Sequence, residues 1–193
     1  RFLNKWNSRM NLTGLRSAGE ILRVLMAESF FAATLVENAE GSILDIGAGA
    51  GFPGLAMAVY RPEMELVLLE PRKKRAAFLS ALRRELGLSR VTLWGRKLEE
   101  CVAGDFSTLP AVLTMRAVGR FSEVIGCGIR LLQGSRRVLL FSSIAGAEGI
   151  MEGIQNVLWS PPHAVRWNPQ HVVLLGQVLG DVPRVTPTAR GST

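Results

Sequence analysis

The feature that most constrains the fold is a short apolar run that ends in an acid and is followed by a glycine-dense turn. Residues 42–54 read SILDIGAGAGFPG. Glycines at such a turn allow positive φ and let a ligand approach the backbone closely. A helix that starts at Pro53 would direct its free N–H groups toward the turn. We therefore predict a strand, a nucleotide-type cofactor loop and a helix, since this glycine density is costly in chain entropy without a ligand.

Two cofactors fit this stretch. A GxGxxG frame at residues 49–54 matches the dinucleotide fingerprint, and Glu70 closes the next strand-like run, where an acid would bind a ribose. The overlapping DxGxGxG pattern at residues 45–51 is the first motif of class I methyltransferases that use S-adenosyl-L-methionine (AdoMet). An acid at Asp45 suits the ammonium group of AdoMet and fits poorly beside a pyrophosphate. The pattern favours AdoMet, with a nicotinamide cofactor as the alternative.

Strand-like and helix-like segments alternate after residue 42. The apolar strand runs are Ile43–Ile46, Leu66–Glu70, Val91–Trp94, Ala111–Met115, Val138–Phe141 and Val172–Val178. The helical segments between them are Pro53–Tyr60, Arg72–Leu86, Phe121–Leu132 and Ala145–Val157. This alternation predicts an α/β fold with a mostly parallel sheet covered on both faces. Pro161 and Pro162 before the last apolar run predict an antiparallel edge strand.

The predicted domain organisation is simple. Two amphipathic helices, at residues 2–10 and 18–38, form an N-terminal helical cap over residues 1–41. Residues 42–179 form the cofactor-binding domain, and residues 180–193, rich in Pro, Thr and Gly, form a flexible tail.

Composition narrows the class of protein. The chain has 193 residues, of which 48% are hydrophobic, enough for one α/β domain with a real core. No apolar run has the length of a membrane span, and the two cysteines and two histidines lack metal-ligand spacing. We expect no metal site, a cytoplasmic location and a monomer. The net charge of +7 favours a polyanionic partner.

Ligands of open α/β sheets bind outside the carboxyl ends of the strands. Glu70, which ends the second predicted strand, is expected to accept both ribose hydroxyls. Leu98 and Glu99 follow the third strand and would lie beside the adenine, unless Glu99 merely initiates a helix. Arg116 ends the fourth strand, where a buried cation needs an anionic partner. The cofactor carboxylate, a neighbouring acid and an RNA phosphate are all open as that partner.

A basic segment follows Glu70. Eleven residues return a helix to nearly the same face, so Arg72 aligns with Arg83 and Lys73 with Arg84. This flank is either solvated or contacts phosphates. Arg75 falls within the apolar stripe, and it either extends from the edge of the core or points toward the mouth of the site.

Several segments together resemble one known family, the bacterial 16S ribosomal RNA guanine-N7 methyltransferases of the RsmG (GidB) type. The segments are Lys5-Trp6-Asn7, Asn11-Leu12-Thr13, the loop 45–54, Leu69-Glu70 with Lys74-Arg75 and Phe78-Leu79, Lys97-Leu98-Glu99, and Arg116-Ala117-Val118. The resemblance covers most of residues 2–145. It implies a class I (Rossmann-like) methyltransferase fold, AdoMet as cofactor, and methyl transfer to N7 of a guanine in 16S ribosomal RNA or the small ribosomal subunit.

The residue patterns and the resemblance together predict the following site. The expected cofactor contacts are Asp45, Gly47, Ala48, Gly49, Gly51, Phe52, Glu70, Leu98, Glu99 and Arg116. The expected RNA contacts are Lys5, Asn11, Arg72, Lys73, Lys74, Arg75, Arg83 and Arg84. The candidate catalytic residue is Glu28, whose carboxylate could stabilise the cationic purine product. The polar pair Glu28-Ser29 either lies on a solvated edge of its helix or faces the cofactor mouth.

Two segments depart from the family pattern. Val24-Leu25 stand where the family usually carries Arg-His, and Leu140-Phe141-Ser142-Ser143 replace its Ala-Leu-Lys-Gly. Two alternatives therefore stay open: an RNA-binding relative that has lost transfer, and a methyltransferase that acts on a small molecule or protein. The basic flank disfavours the second. A catalytic His or Cys is not required, because guanine N7 carries a free lone pair at neutral pH.

Overall fold

The computed structural model describes residues 12–15, 17–116 and 121–180. In this part of the chain eight strands form one sheet. The strands are β1 (Ser42–Ile46), β2 (Leu66–Leu69), β3 (Val91–Trp94), β4 (Pro110–Arg116), β5 (Arg137–Ser143), β6 (Val157–Trp159), β7 (His163–Ala164) and β8 (His171–Val178). Their order is β3-β2-β1-β4-β5-β8-β6, and β7 pairs with β8.

The sheet is mostly parallel. Strands β1 to β5 pair in parallel, whereas β8 runs antiparallel to both β5 and β6. The predicted α/β sheet with antiparallel pairing toward one edge is thereby confirmed. The outermost strand on that side is β6, which sequence reasoning missed.

The prediction of a helix as far as Val157 is wrong, because that helix ends at Glu152 and Val157 begins β6. Gly176 of β8 explains how β6 packs there. A Cβ at Gly176 would collide with Val157 and the Trp159 ring, so the glycine leaves room for both side chains.

Five helices lie around the sheet in the described residues. Helix α1 covers 18–35 and consists of Ala18–Glu20, a π-helical segment Ile21–Met26, and Ala27–Leu35. The others are α2 (Gly54–Tyr60), α3 (Lys73–Glu85), α4 (Phe121–Ile129) and α5 (Ile144–Glu152). Two 3-10 turns, Leu98–Glu100 and Ala103–Asp105, follow β3. The helix predicted at residues 2–10 lies outside the described residues, as does the predicted tail beyond Gly180.

The core consists of two apolar layers, one on each face of the sheet. Neighbouring strand residues point to opposite faces, so Ile43 packs with α1, α2 and α3 while Leu44 packs with α4 and α5. Helices cover both faces of the sheet. The carboxyl ends of the parallel strands β1, β2 and β4 lie side by side, and the loop after β1 lies there. In the described ranges, no helix is long and apolar enough to cross a membrane.

Candidate active site

A cavity of about 600 Å³ lies at the carboxyl ends of β1, β2 and β4. This is the edge at which the sequence predicted a ligand. The described residues that line the cavity are Leu12, Thr13, Gly14, Leu15, Leu25, Gly47, Ala48, Gly49, Ala50, Phe52, Glu70, Pro71, Arg72, Arg75 and Arg116.

The loop after β1 takes a conformation that only glycine adopts easily. Gly47, Gly49 and Gly51 have φ values of 71°, 56° and 91°, in the left-handed region that other residues avoid. The N–H groups of Gly47 and Ala48 both donate to the Leu69 carbonyl, at 2.9 and 3.0 Å, which ties the loop to the end of β2. Gly51 does not line the cavity. It lies against Leu55 of α2, where a Cβ on Gly51 would be 3.0 Å from the Leu55 Cβ.

Asp45 lies behind this loop and has no exposed surface. Its Oδ2 accepts a hydrogen bond from the Gly54 N–H at 2.9 Å. The first N–H of α2, expected to face the turn, is thus directed at Asp45. Asp45 does not line the cavity, and its contact with Gly54 links the loop to α2. The expected direct cofactor contact stays a prediction.

Burial also changes the acidity of Asp45. Desolvation raises its pKa from the ordinary 3.8 to about 7, against the opposing effects of the Gly54 N–H and the Arg116 charge. Its second oxygen, Oδ1, is buried without a hydrogen-bond partner among the described residues. A buried carboxylate oxygen that lacks a partner makes ionisation costly.

Glu70 borders the cavity with both oxygens already held by backbone donors. Oε2 accepts from the Gly49 N–H at 3.0 Å and Oε1 from the Arg72 N–H at 2.9 Å. Each carboxylate oxygen can accept a further hydrogen bond. Glu70 is therefore fixed in place directly after β2 with acceptor capacity left on both oxygens. Its role in accepting the two hydroxyls of a ribose stays a prediction.

The anionic partner of Arg116, at the end of β4, is a neighbouring acid, Glu28. Nη1 of Arg116 donates to Oε2 of Glu28 at 2.8 Å, and the guanidinium carbon lies 4.0 Å from the centre of the Phe141 ring. Burial lowers the pKa of Arg116, and the Glu28 carboxylate acts against that shift. The Nε and Nη2 atoms are buried without a partner among the described residues.

Glu28 is 1% exposed and lies behind Arg116, outside the lining of the cavity. Its Oε1 accepts from Nδ2 of Asn168 at 2.7 Å and lies 3.1 Å from Nδ1 of His171. Ser29 is also buried and donates to the Leu25 carbonyl. Neither sequence interpretation of the Glu28-Ser29 pair describes this arrangement. A carboxylate covered in this way is placed to orient Arg116, and its expected catalytic role stays a prediction.

The predicted basic residues in the described part of the chain divide into three groups. Arg72 and Arg75 line the cavity, and Nη1 of Arg75 lies 3.8 Å from where a Cβ on Gly49 would be, so Arg75 points toward the mouth of the site. The exposed cations on α3 are Lys73, Lys74 and Arg84. Arg83 instead donates from Nη1 to the Val91 carbonyl at 2.7 Å, which directs it toward β3 and away from that surface. Lys5 and Asn11 lie outside the described residues.

The predicted adenine segment is not brought into the cavity. Leu98 is buried in the apolar layer that contains α4 and α5, and Glu99 is exposed in a 3-10 turn. Neither residue lines the cavity. Sequence reasoning also gave no signal for Asn168 and His171, which lie near the end of the described chain.

The sheet order and the glycine loop after β1 define the class I methyltransferase fold. A solved structure of this class, a SAM-dependent O-methyltransferase from Thermotoga maritima, aligns with a TM-score of 0.63 and 16% identity. The alignment covers 94% of this chain and 72% of that one. At this identity the likeness establishes the fold alone.

The family follows from the sequence comparisons. The model of the GidB family, described as rRNA small subunit methyltransferase G, matches residues 1–155. A ribosomal RNA small subunit methyltransferase G from Sorangium cellulosum is 32% identical over 148 residues, and one from Helicobacter pylori is 36% identical over 143 residues. The chain belongs to the rRNA small subunit methyltransferase G family, and the resemblance seen in its motifs is confirmed.

Coverage differs between the two relatives. The match to the Sorangium protein includes 76% of this chain but only 62% of that protein. The match to the Helicobacter protein includes 73% of this chain and 76% of that protein.

Proposed function

We propose that this chain binds AdoMet in the cavity and transfers the methyl group to N7 of a guanine in 16S ribosomal RNA. The observation that carries the proposal is that the family match, residues 1–155, contains every described residue that lines the cavity. We further propose that the protein acts in the cytoplasm as a monomer on ribosomal RNA or the small ribosomal subunit.

The lining of the cavity fits AdoMet. The fixed carboxylate of Glu70 suits ribose hydroxyls, and the glycine loop permits close approach of a ligand to its backbone. Arg116 lines the cavity, and its buried Nε and Nη2 donors, which have no partner among the described residues, are of the kind that binds a carboxylate. The neighbouring Asp45 supplies negative potential toward a cationic ligand once it is ionised.

When bound, AdoMet supplies an electrophilic methyl group, which a purine nitrogen with a free lone pair can accept without a general base. The chain then has to orient both reactants and exclude water. Arg72 and Arg75 at the cavity and the exposed Lys73, Lys74 and Arg84 of α3 provide cationic groups for RNA phosphates.

Calorimetric titration with AdoMet tests the cofactor assignment. We expect Asp45→Ala and Glu70→Ala to weaken AdoMet binding clearly, the first by releasing the loop from α2 and the second by removing the ribose acceptor. Glu152→Ala, an exposed acid at the end of α5, is the matched control and should bind as the wild type does. Equal affinity in all four proteins would refute the assignment, and binding of NADH in place of AdoMet would favour the dinucleotide alternative.

Transfer is tested with labelled AdoMet and small ribosomal subunits, followed by mapping of the methylated base. Label at guanine N7 of 16S ribosomal RNA is the expected result. A wild-type protein that binds AdoMet and labels no ribosomal RNA would refute the transfer proposal and favour an RNA-binding relative.

A further inference from the structure

The loop between β7 and β8, residues 165–170, is attached to α1 by contacts of its own. Trp167 donates from Nε1 to the Arg23 carbonyl at 3.0 Å, and its ring meets the edge of Phe31 with centroids 6.0 Å apart. Val165 is buried in the core layer that contains α1. These contacts attach the loop to α1 without using the side chains of Asn168 and His171.

Two side chains from this region converge on one oxygen of Glu28. Asn168 donates from Nδ2 at 2.7 Å, and Nδ1 of His171, the first residue of β8, lies 3.1 Å from the same Oε1. The other oxygen, Oε2, accepts from Arg116 at 2.8 Å. A buried carboxylate needs partners for both oxygens. The partners on Oε1 fix the direction in which Oε2 is presented to Arg116.

The guanidinium of Arg116 is planar and rigid, so contacts to one part of it orient the rest. Glu28 holds Nη1, and the Phe141 ring lies against one face of the group. The two remaining donor atoms, Nε and Nη2, are buried and have no partner among the described residues, and Arg116 lines the cavity. A planar pair of N–H donors matches a carboxylate.

We propose that Asn168 and His171 are positioning residues that act through Glu28 to aim Arg116 at the carboxylate of the bound cofactor. This inference rests on the proposed function, in which that cofactor is AdoMet. Asn168 and His171 lie beyond residue 155, where the family match ends. The segment that contains β7 and β8 thus contributes to the cofactor site without lining it.

The test compares two ligands that differ in the amino-acid portion. S-adenosylhomocysteine carries the carboxylate, whereas 5′-methylthioadenosine keeps the adenosine and lacks it. Asn168→Ala and His171→Ala should each weaken S-adenosylhomocysteine binding about 3- to 10-fold, the range for a misdirected charged hydrogen bond. Binding of 5′-methylthioadenosine should be unchanged, which also shows that the variants are folded.

Two further variants separate positioning from a general loosening of the loop. Trp167→Phe removes the hydrogen bond to Arg23 in the same loop without touching Glu28, and it should bind both ligands as the wild type does. In an Arg116→Ala background, adding Asn168→Ala should cause no further loss, because the two residues act along one path. Additive losses, or equal losses for both ligands, would overturn the proposal. Failure of the wild type to bind S-adenosylhomocysteine would instead refute the proposed function.

Discussion

Asp45 makes the stability of the fold depend on pH, and Asp45→Asn isolates that effect. The substitution keeps the shape of the side chain and an oxygen that can accept from the Gly54 N–H. It removes the ionisable group and introduces an amide NH2, whose effect on stability does not change with pH. Because Asp45 is fully buried, its ionisation in the folded state has to overcome desolvation, which raises the pKa from 3.8 to about 7.

The sign and size of the effect follow from the two pKa values. Below pH 3.8 Asp45 is protonated in both states and makes no contribution. Between pH 3.8 and 7 the unfolded chain loses the proton while the folded protein keeps it, so the free energy of unfolding falls as pH rises. At about 1.4 kcal/mol per pH unit, the loss levels off above pH 7 at about 4 kcal/mol.

Urea unfolding of the wild type and Asp45→Asn at pH 5 and pH 8.5 measures this difference. From pH 5 to pH 8.5, the free energy of unfolding of the variant should rise by up to about 3 kcal/mol relative to that of the wild type. This is the part of the total loss that falls between these two pH values. Glu63→Gln is the control, because a hydrogen bond from its own backbone N–H and the Arg61 side chain lower the Glu63 pKa below its ordinary 4.5. Glu63 is then ionised in both states at pH 5 and at pH 8.5, so the difference between this variant and the wild type should not change between the two conditions. A difference between wild type and Asp45→Asn that does not change with pH would refute the reasoning.

Two further predictions concern packing and RNA. Gly54→Ala should destabilise the protein by about 2–5 kcal/mol in urea unfolding, since the new Cβ would lie 2.5 Å from Asp45 Oδ2 and disrupt a buried hydrogen bond. Gly95→Ala, with nothing within 4 Å of its Cβ, is the control, and equal stabilities would contradict the packing argument. The double variant Lys73→Glu, Lys74→Glu should weaken binding to small ribosomal subunits and reduce its salt dependence, with AdoMet affinity unchanged. An unaltered salt dependence would exclude these lysines from the RNA surface.

The parts of the site that sequence reasoning located are those encoded by short segments. The glycine loop and Glu70 each follow an apolar strand directly, so the strand pattern alone places them at one edge of the sheet. Asp45 was placed at the same edge, but alternation along β1 and the Gly54 contact turn its side chain behind the loop. The pattern gives the position of the residue along the strand and does not give the side on which it finds a partner.

Arg83 illustrates a limit of helical periodicity. The expected alignment with Arg72 required a helix that includes both residues, but α3 begins at Lys73 and Arg72 precedes it in an extended conformation. The Arg83 side chain turns to the Val91 carbonyl at the start of β3. Helix geometry fixes the direction of the Cα–Cβ bond, whereas a long side chain can reach an acceptor on a neighbouring element. Arg72 remains at the cavity because its own N–H is held by Glu70.

The pairing of Glu28 with Arg116 could have been predicted from elementary energetics. A carboxylate inside an apolar helix and a guanidinium at the end of a buried strand each carry a desolvation cost that an opposite charge must offset. The two residues are 88 positions apart, so no local pattern connects them, but each needed a partner of the other's sign. Their ion pair provides each buried charge with a partner of opposite sign. Asn168 and His171 are different, since an amide and an imidazole create no comparable demand, and their convergence on Oε1 depends on the antiparallel return of β8 beside β5.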